Sequence, residues 1–279
     1  MTLRRALRGR ANLVIGGLVT LVVVAMALLA PLLAPYHPTD DANLMNAELP
    51  PGGAFLFGTD SQGRDILSRV IYGARISLSI GLISQLLNSC IGILLGLTAG
   101  FSGRWWDDFV MGLTNIMLSI PSLIFALAIM AVLGPGLFNV FVALGFTNWS
   151  YSCRVTRSQV LGARSLDYVL AARALGEGRF RIMFAQILPN ILGPILVIAT
   201  LGVAYAILTE ASLSFLGLGA QPPTPSWGGM LSTAREQLFT APWISIFPGL
   251  AIFVTVLGLN LLGDGLRDVL DPHTLGRRR

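Results

Sequence analysis

Six stretches of this chain contain no Asp, Glu, Lys or Arg: residues 11–39, 76–103, 109–153, 182–209, 211–234 and 237–263. Each exceeds the roughly 20 apolar residues that take a helix across the hydrocarbon core of a bilayer. Composition agrees. Of the 279 residues 54% are apolar and only 12% are charged, against about 25% charged in soluble domains. A soluble fold of this size lacks the polar surface to cover such a core. An ordinary cytosolic enzyme, a disordered chain and a secreted disulfide scaffold are thereby excluded. What remains is an all-α, polytopic membrane protein.

The charge gaps give six predicted transmembrane helices, at about 12–33, 77–100, 109–132, 137–153, 190–212 and 244–263. The run 109–153 is long enough for two spans, and Gly134-Pro135-Gly136 inside it signals a turn. The run 211–234 holds Gln221-Pro222-Pro223-Thr224-Pro225, which no lipid-facing helix carries, and reads as an external loop. Six spans place both termini on one side. With this topology fifteen Arg fall on that side and four on the other: Arg64, Arg69, Arg75 and Arg235. Arg4, Arg5, Arg8, Arg10 and Arg277 to Arg279 belong to the majority. The positive-inside rule therefore puts the N- and C-termini in the cytoplasm. The first apolar stretch exceeds the about 7–15 residues of a signal-peptide core, so it reads as an uncleaved span.

All 19 basic residues are Arg. A Walker A loop needs its Lys to reach the phosphates, so this chain has no standard nucleotide site of that kind. The isoelectric point of about 9.9 reports membrane orientation, and no nucleic-acid partner is expected. Cys90 and Cys153 lie in or beside apolar runs and read as packing residues, as do the scattered Met. Trp105 and Trp106 read as interfacial anchors. His37 and His273 fall on opposite sides of the membrane and cannot share a metal.

Two loops stand out. In the outer one, about 35–75, the apolar residues Ile66, Leu67, Val70, Ile71 and Ala74 fall at helical spacing, with Asp65 and Arg69 as an i,i+4 pair. This predicts either an amphipathic helix on the outer membrane surface or a lead-in to the second span. The cytoplasmic loop, about 154–189, predicts two short helices about a glycine. Asp167 can cap the first, which runs through Leu175, and Gly176 stops it. A second segment starts near Arg179 and carries Ile182, Met183, Phe184, Ile187 and Leu188 towards Pro189. An apolar tip within an Arg-rich surround suits a groove on a partner. A loop folded back on its own bundle fits the pattern equally.

Leu170-Ala171-Ala172, three residues, Gly176, then twelve residues to Pro189 resembles the EAA loop of bacterial binding-protein-dependent ABC importer permeases. Leu170 stands where that pattern has Glu, and Gln186 where it has Ile. Phe57-Gly58-Thr59-Asp60 with Gly63-Arg64-Asp65 is similar to the C-type permease subunit of dipeptide, oligopeptide and nickel importers. So is Ala211 to Gly219 with Pro222-Pro223-Thr224-Pro225-Ser226-Trp227-Gly228, and Asn260 to Asp268 with Leu270-Asp271-Pro272. The likeness covers nearly the whole chain.

This resemblance implies the type I importer permease fold in a bacterial inner membrane. Residues 1–75 would form the N-terminus, first span and periplasmic loop. Residues 76–266 would form a five-helix permease core with the EAA loop at 154–189, and 267–279 a cytoplasmic tail. It implies a second homologous permease, two cytoplasmic ATPases and a periplasmic or lipid-anchored solute-binding protein, besides membrane lipid. The chain is then no enzyme and holds no cofactor, with ATP and Mg²⁺ bound by the ATPases. Asp167, Tyr168, Val169, Leu170, Ala171, Ala172, Arg173, Ala174, Leu175 and Gly176 would couple to them. The solute expected first is a di- or oligopeptide, with nickel chelates and glutathione as alternatives.

Glu210 is the one acidic residue predicted within a span. An intramembrane carboxylate is a candidate functional group. Counted from Asn190 at about 1.5 Å per residue it lies near the outer interface. It is either structural there or lines the outer mouth of a path together with Ser212 and Ser214. Gln221, Pro222, Pro223 and Trp227 form either a contact for the binding protein or a stiff turn. An ion-coupled secondary transporter is the competing class. It usually carries carboxylates or His near the midplane, whereas the first four predicted spans have neither. A membrane-embedded enzyme lacks its motifs here, and a scaffold is not excluded by chemistry.

Overall fold

The computed structural model describes residues 2–270, with side chains from residue 11 onward. The side chains of Arg4, Arg5, Arg8 and Arg10, and residues Asp271, Pro272, His273 and Arg277 to Arg279, lie outside the described residues. Helices build the described chain: α1 (Thr2–Leu28), α2 (Ala30–Leu33), α3 (Ile66–Phe101), α4 (Arg104–Ser119), α5 (Ser122–Leu133) and α6 (Leu137–Thr147). They continue as α7 (Trp149–Ala163), α8 (Asp167–Ala174), α9 (Arg179–Arg181), α10 (Leu188–Phe215), α11 (Trp227–Thr233) and α12 (Trp243–Leu270).

Among the described residues, four helical stretches are each long and apolar enough to cross a membrane: Ala11–Leu28, Ile66–Phe101, Arg179–Phe215 and Trp243–Leu270. A fifth candidate is α4 with α5, bent by 88° at their junction. Six continuous spans are therefore not observed. The predicted span 109–132 is broken at Ile120-Pro121, because proline takes the residue before it out of the helical region. Ile120 is extended (φ −97°, ψ 124°). The predicted span 137–153 ends at Thr147, and α7 continues from Trp149 as a more polar helix. Charge gaps count residues and do not register such breaks.

Small residues bring the helices together. In membranes, packing rather than hydrophobicity drives helix association, and small side chains let backbones approach. Gly92, Gly96 and Gly100 form one stripe of α3 against α7. A Cβ on Gly96 would lie 2.5 Å from the Cys153 carbonyl oxygen. Gly16 of α1 lies against Gly258 and Leu262, while Gly265 lies against Leu13, so α1 and α12 are antiparallel. Helix α10 packs between α3 and α12. The end of the bundle that carries α8 is termed inner here, and the opposite end outer.

Residues 66–75 are the first turns of α3, which runs unbroken to Phe101. This corrects the surface-helix reading, since Ile66, Val70, Ile71 and Ala74 are buried in the bundle. It also moves the predicted boundary at residue 75 into the interior of a helix. The boundary at 266 likewise falls inside α12. The Asp65–Arg69 pair does not form. Asp65 is the N-cap of α3, accepting from the Ser68 amide at 2.8 Å and the Ser68 hydroxyl at 2.6 Å. Arg69 turns instead to Asp60 and to the Pro38 carbonyl.

Candidate functional site

The inner loop is rooted in the bundle by one face. Val169 and Ala172 of α8 are buried in a cluster with Leu97, Val160, Ile182 and Ile187. The Arg173 guanidinium lies over the Phe101 ring at 5.0 Å, and Arg164 donates to the Gly100 carbonyl. At its other face Leu170 is 49% exposed, Leu175 84% and Phe180 75%. Asp167, Ala171, Arg173 and Ala174 are exposed as well. This segment buries one apolar edge and leaves the other as an exposed apolar patch, a feature found at interaction surfaces.

The end of α8 is set by Gly176. Its φ is +79°, a left-handed conformation that glycine adopts without steric cost. The Gly176 amide donates to the Arg173 carbonyl at 3.0 Å, and the Glu177 amide to Ala172 at 3.0 Å. These paired bonds are the Schellman arrangement, which satisfies carbonyls the helix would leave open. At the start the N-cap position is Leu166, and Asp167 is the first helical residue with no side-chain capping bond. Its carboxylate still favours the helix by lying at the positive end of the dipole. The Tyr168 hydroxyl is buried without a hydrogen-bond partner in the described chain, and burial pushes its phenol pKa up. The segment from Arg179 joins α10 through a π-helical stretch, Ile182–Ile187. Gln186 there donates towards the Glu177 carboxylate at 3.3 Å.

The outer end uses its polar residues differently. Glu210 is fully buried. Ser214 donates to it at 2.6 Å and Ser77 at 3.4 Å. The Trp227 amide donates to the same Ser77 hydroxyl at 3.3 Å, and its indole to the Val70 carbonyl at 2.9 Å. Glu210, Ser214 and Trp227 thus form one knot that ties α3, α10 and α11 together. Glu210 and Ser214 are buried in the packing of the described chain. Ser212 bonds its own helix at the Leu208 carbonyl. Trp227 is likewise corrected as a surface contact, since it is fully buried. Gln221, Pro222 and Pro223 remain exposed beside it.

A second outer cluster explains the motif at residues 57–65. Phe57 stacks on Phe247 with ring centroids 3.9 Å apart. The Thr59 hydroxyl accepts from the Leu49 amide and donates to the Asn46 carbonyl. Asp60 pairs with Arg64 at 2.8 Å and with Arg69 at 3.5 Å, all three buried. Gly63 turns with φ +72°, directly against the Asn43 carbonyl. The motif locks the outer loop onto the start of α3.

One feature escaped the sequence reading. A cavity of about 600 Å³ lies between the α4–α5 break, the α6–α7 junction, α10 and α12. The Ser122 and Tyr205 hydroxyls meet across it at 2.5 Å. Gln85, Asn148, Tyr151 and Asn260 contribute further polar groups. Pro121 inside a charge-free run, and hydroxyl or amide residues at Ser122, Tyr205 and Asn260 within apolar ones, were the signals that could have found it.

This fold is that of the ABC importer permeases. It matches a chain of the inward-facing MetNI methionine ABC transporter with a TM-score of 0.58 at 17% identity, over 74% of this chain and 98% of the matched one. Residues 92–276 match the family profile "Binding-protein-dependent transport system inner membrane component", and residues 3–51 match "N-terminal TM domain of oligopeptide transport permease C". The chain belongs to this family of integral membrane permeases. Among its relatives, the Di/tripeptide transport system permease protein DppC of Pseudomonas aeruginosa is 49% identical over 92% of this chain and 87% of the relative. The Oligopeptide transport system permease protein OppC of Bacillus subtilis is 42% identical over 95% and 88%. The Glutathione transport system permease protein GsiD of Pectobacterium atrosepticum is 42% identical over 96% and 89%. The resemblance read from the four motif stretches is borne out.

Proposed function

We propose that this chain is one of two permease subunits of an ATP-driven importer of short peptides in a bacterial inner membrane, with both termini cytoplasmic. A binding protein delivers the peptide at the outer end. Two ATPases, which hold the ATP and Mg²⁺, seat the exposed face of α8 at the inner end. The observation that carries this reading is α8 itself. It is fixed to the bundle through Val169, Ala172 and Arg173, so a push on it reaches α3, α7 and α10. Leu170 on α8 is half exposed and Leu175 at its C-cap is largely exposed among the described residues. The relative that transports di- and tripeptides supports the choice of solute.

A second reading, glutathione as the solute, is favoured by the relative named for it. No observation favours ion coupling. The deciding experiment deletes the gene in its host and measures uptake of labelled dialanine, trialanine and glutathione. Loss of peptide uptake, restored by the wild-type chain, is expected. Loss of glutathione uptake alone selects the second reading, and unchanged uptake of all three overturns both.

A further inference from the structure

The cavity at the α4–α5 break is lined without a single charge: none of its residues is Asp, Glu, Arg or His. Its polar side chains carry only amides and hydroxyls, among them those of Gln85, Ser122, Asn148, Tyr151, Tyr205 and Asn260. Some of these are already engaged. Ser122 and Tyr205 bond each other, and Gln85 donates to Ser89 at 3.0 Å. Others are free, since the Tyr151 hydroxyl and the Asn260 amide bond no group of the described chain. Tyr151 and Asn260 are both exposed, so their polar groups are open to a molecule that enters this space and can hydrogen-bond it. The volume lies within the about 300–1,000 Å³ of small-molecule sites.

We propose that this cavity is the subunit's portion of the solute path, and that it holds a passing peptide by its backbone through neutral hydrogen bonds, indifferent to side-chain charge. The inference rests on the peptide-importer reading. Side-chain amides and hydroxyls both donate and accept, which matches the N–H and C=O of any peptide group. A fixed charge in this weakly polarisable setting would hold one sign of peptide and repel the other. A path has to bind well enough to be entered and weakly enough to be left. A lining of neutral groups meets both demands for peptides of differing charge. Asn260 is the informative position, because it is exposed within the cavity and spends no hydrogen bond on the fold.

The test measures maximum uptake rates, at saturating solute, for Ala-Ala, Ala-Glu and Ala-Lys in cells carrying the complete transporter. For the wild type the three rates agree within about threefold, as a neutral lining requires. Asn260→Asp raises the Ala-Lys to Ala-Glu ratio about tenfold, and Asn260→Arg lowers it by a similar factor. To bypass a folding defect in either variant, Asn260→Cys in a Cys90→Ser background is modified in place with cationic or anionic methanethiosulfonate, giving the same opposed shifts. An unchanged ratio with both reagents, or an introduced thiol that neither reagent reaches, overturns the assignment of the cavity. A wild type that takes up none of the three peptides overturns the peptide-importer reading instead, a result distinct from an unchanged ratio.

Discussion

At the outer end Asp60, Arg64, Arg69, Glu210 and Trp227 are all buried and bonded to one another's neighbours. At the inner end Leu170, Leu175 and Phe180 are apolar and face out. This inverts the usual arrangement, in which charges lie outside and leucines inside. The two ends carry motifs of equal visibility in the sequence. The outer motifs are consumed by folding: they fix a long irregular loop and a short helix onto the tops of α3 and α10. The inner motif leaves its most apolar residues unspent. Motif residues that satisfy each other build architecture, and the exposed ones at the inner end are those assigned to the ATPases in the function proposed above.

The sharpest way to break this contrast is at Asp60. Asp60→Asn leaves the buried guanidiniums of Arg64 and Arg69 without their carboxylate. Stranding a buried charge costs about 3–5 kcal/mol. The expected outcome is loss of folded protein, read as yield and melting midpoint in detergent. A melt like that of the wild type would show that the outer cap is not structural. Gly96→Leu comes next, because any side chain there meets the Cys153 carbonyl. Overpacking costs about 1–3 kcal/mol, and the melting midpoint should fall accordingly.

Gly176→Val acts at the inner end and separates stability from activity. Forcing a β-branched residue into φ +79° costs about 1–3 kcal/mol of local strain. That strain is confined to the turn after α8, so insertion and purification should survive. If α8 couples to the ATPases as proposed, uptake should be lost while ATP is still hydrolysed, because the turn that ends α8 no longer holds its shape. Normal uptake by this variant would refute the coupling role of α8. Glu210→Gln has a smaller effect. It keeps an acceptor for the Ser214 hydroxyl, so the expected change is about 1 kcal/mol with transport retained. Complete loss of transport in a normally assembled complex would return Glu210 to the path.

Much of this was legible in the sequence, for reasons that differ by region. The spans at 77–100, 190–212 and 244–263 were legible because charge along a membrane helix is costly, and Glu210 is the only charged residue within them. Gly176 was legible because few residues other than glycine end a helix in a left-handed turn. The Gly92, Gly96 and Gly100 stripe was legible too, as small residues at four-residue spacing, and was passed over. What stayed hidden depends on contacts between distant segments. Asp65 and Arg69 are four apart on one helix, so local geometry favours their pairing. Capping of α3 takes Asp65, and Asp60 from the folded loop takes Arg69. Trp227 follows a proline-rich stretch that reads as exposed, yet the hydroxyl of Ser77, 150 residues away, meets its amide. The 88° bend follows from Pro121 in kind, but its size is set by the helices around it.

The smallest expected change in stability is also the one that most sharpens the contrast between the ends. Leu170 is half exposed and contributes little to the buried cluster under α8, which is carried by Val169 and Ala172. Leu170→Ser should therefore leave the melting midpoint nearly unchanged, since surface substitutions shift stability by about 0.5 kcal/mol or less. If the exposed face of α8 is the seat of the ATPases, removing an apolar side chain from its centre should cost about 1.5–3 kcal/mol of association. Pull-down of the ATPases by a tagged copy of this chain should then fall by about tenfold or more. Ala171→Ser, on the same helix but without a long side chain to bury, serves as the control and should fall far less. Should Leu170→Ser melt the protein as Asp60→Asn does, the leucine is part of the fold, and the division between a spent outer end and an unspent inner end fails. Should it change neither stability nor pull-down, α8 keeps its place in the bundle and loses its role as the seat.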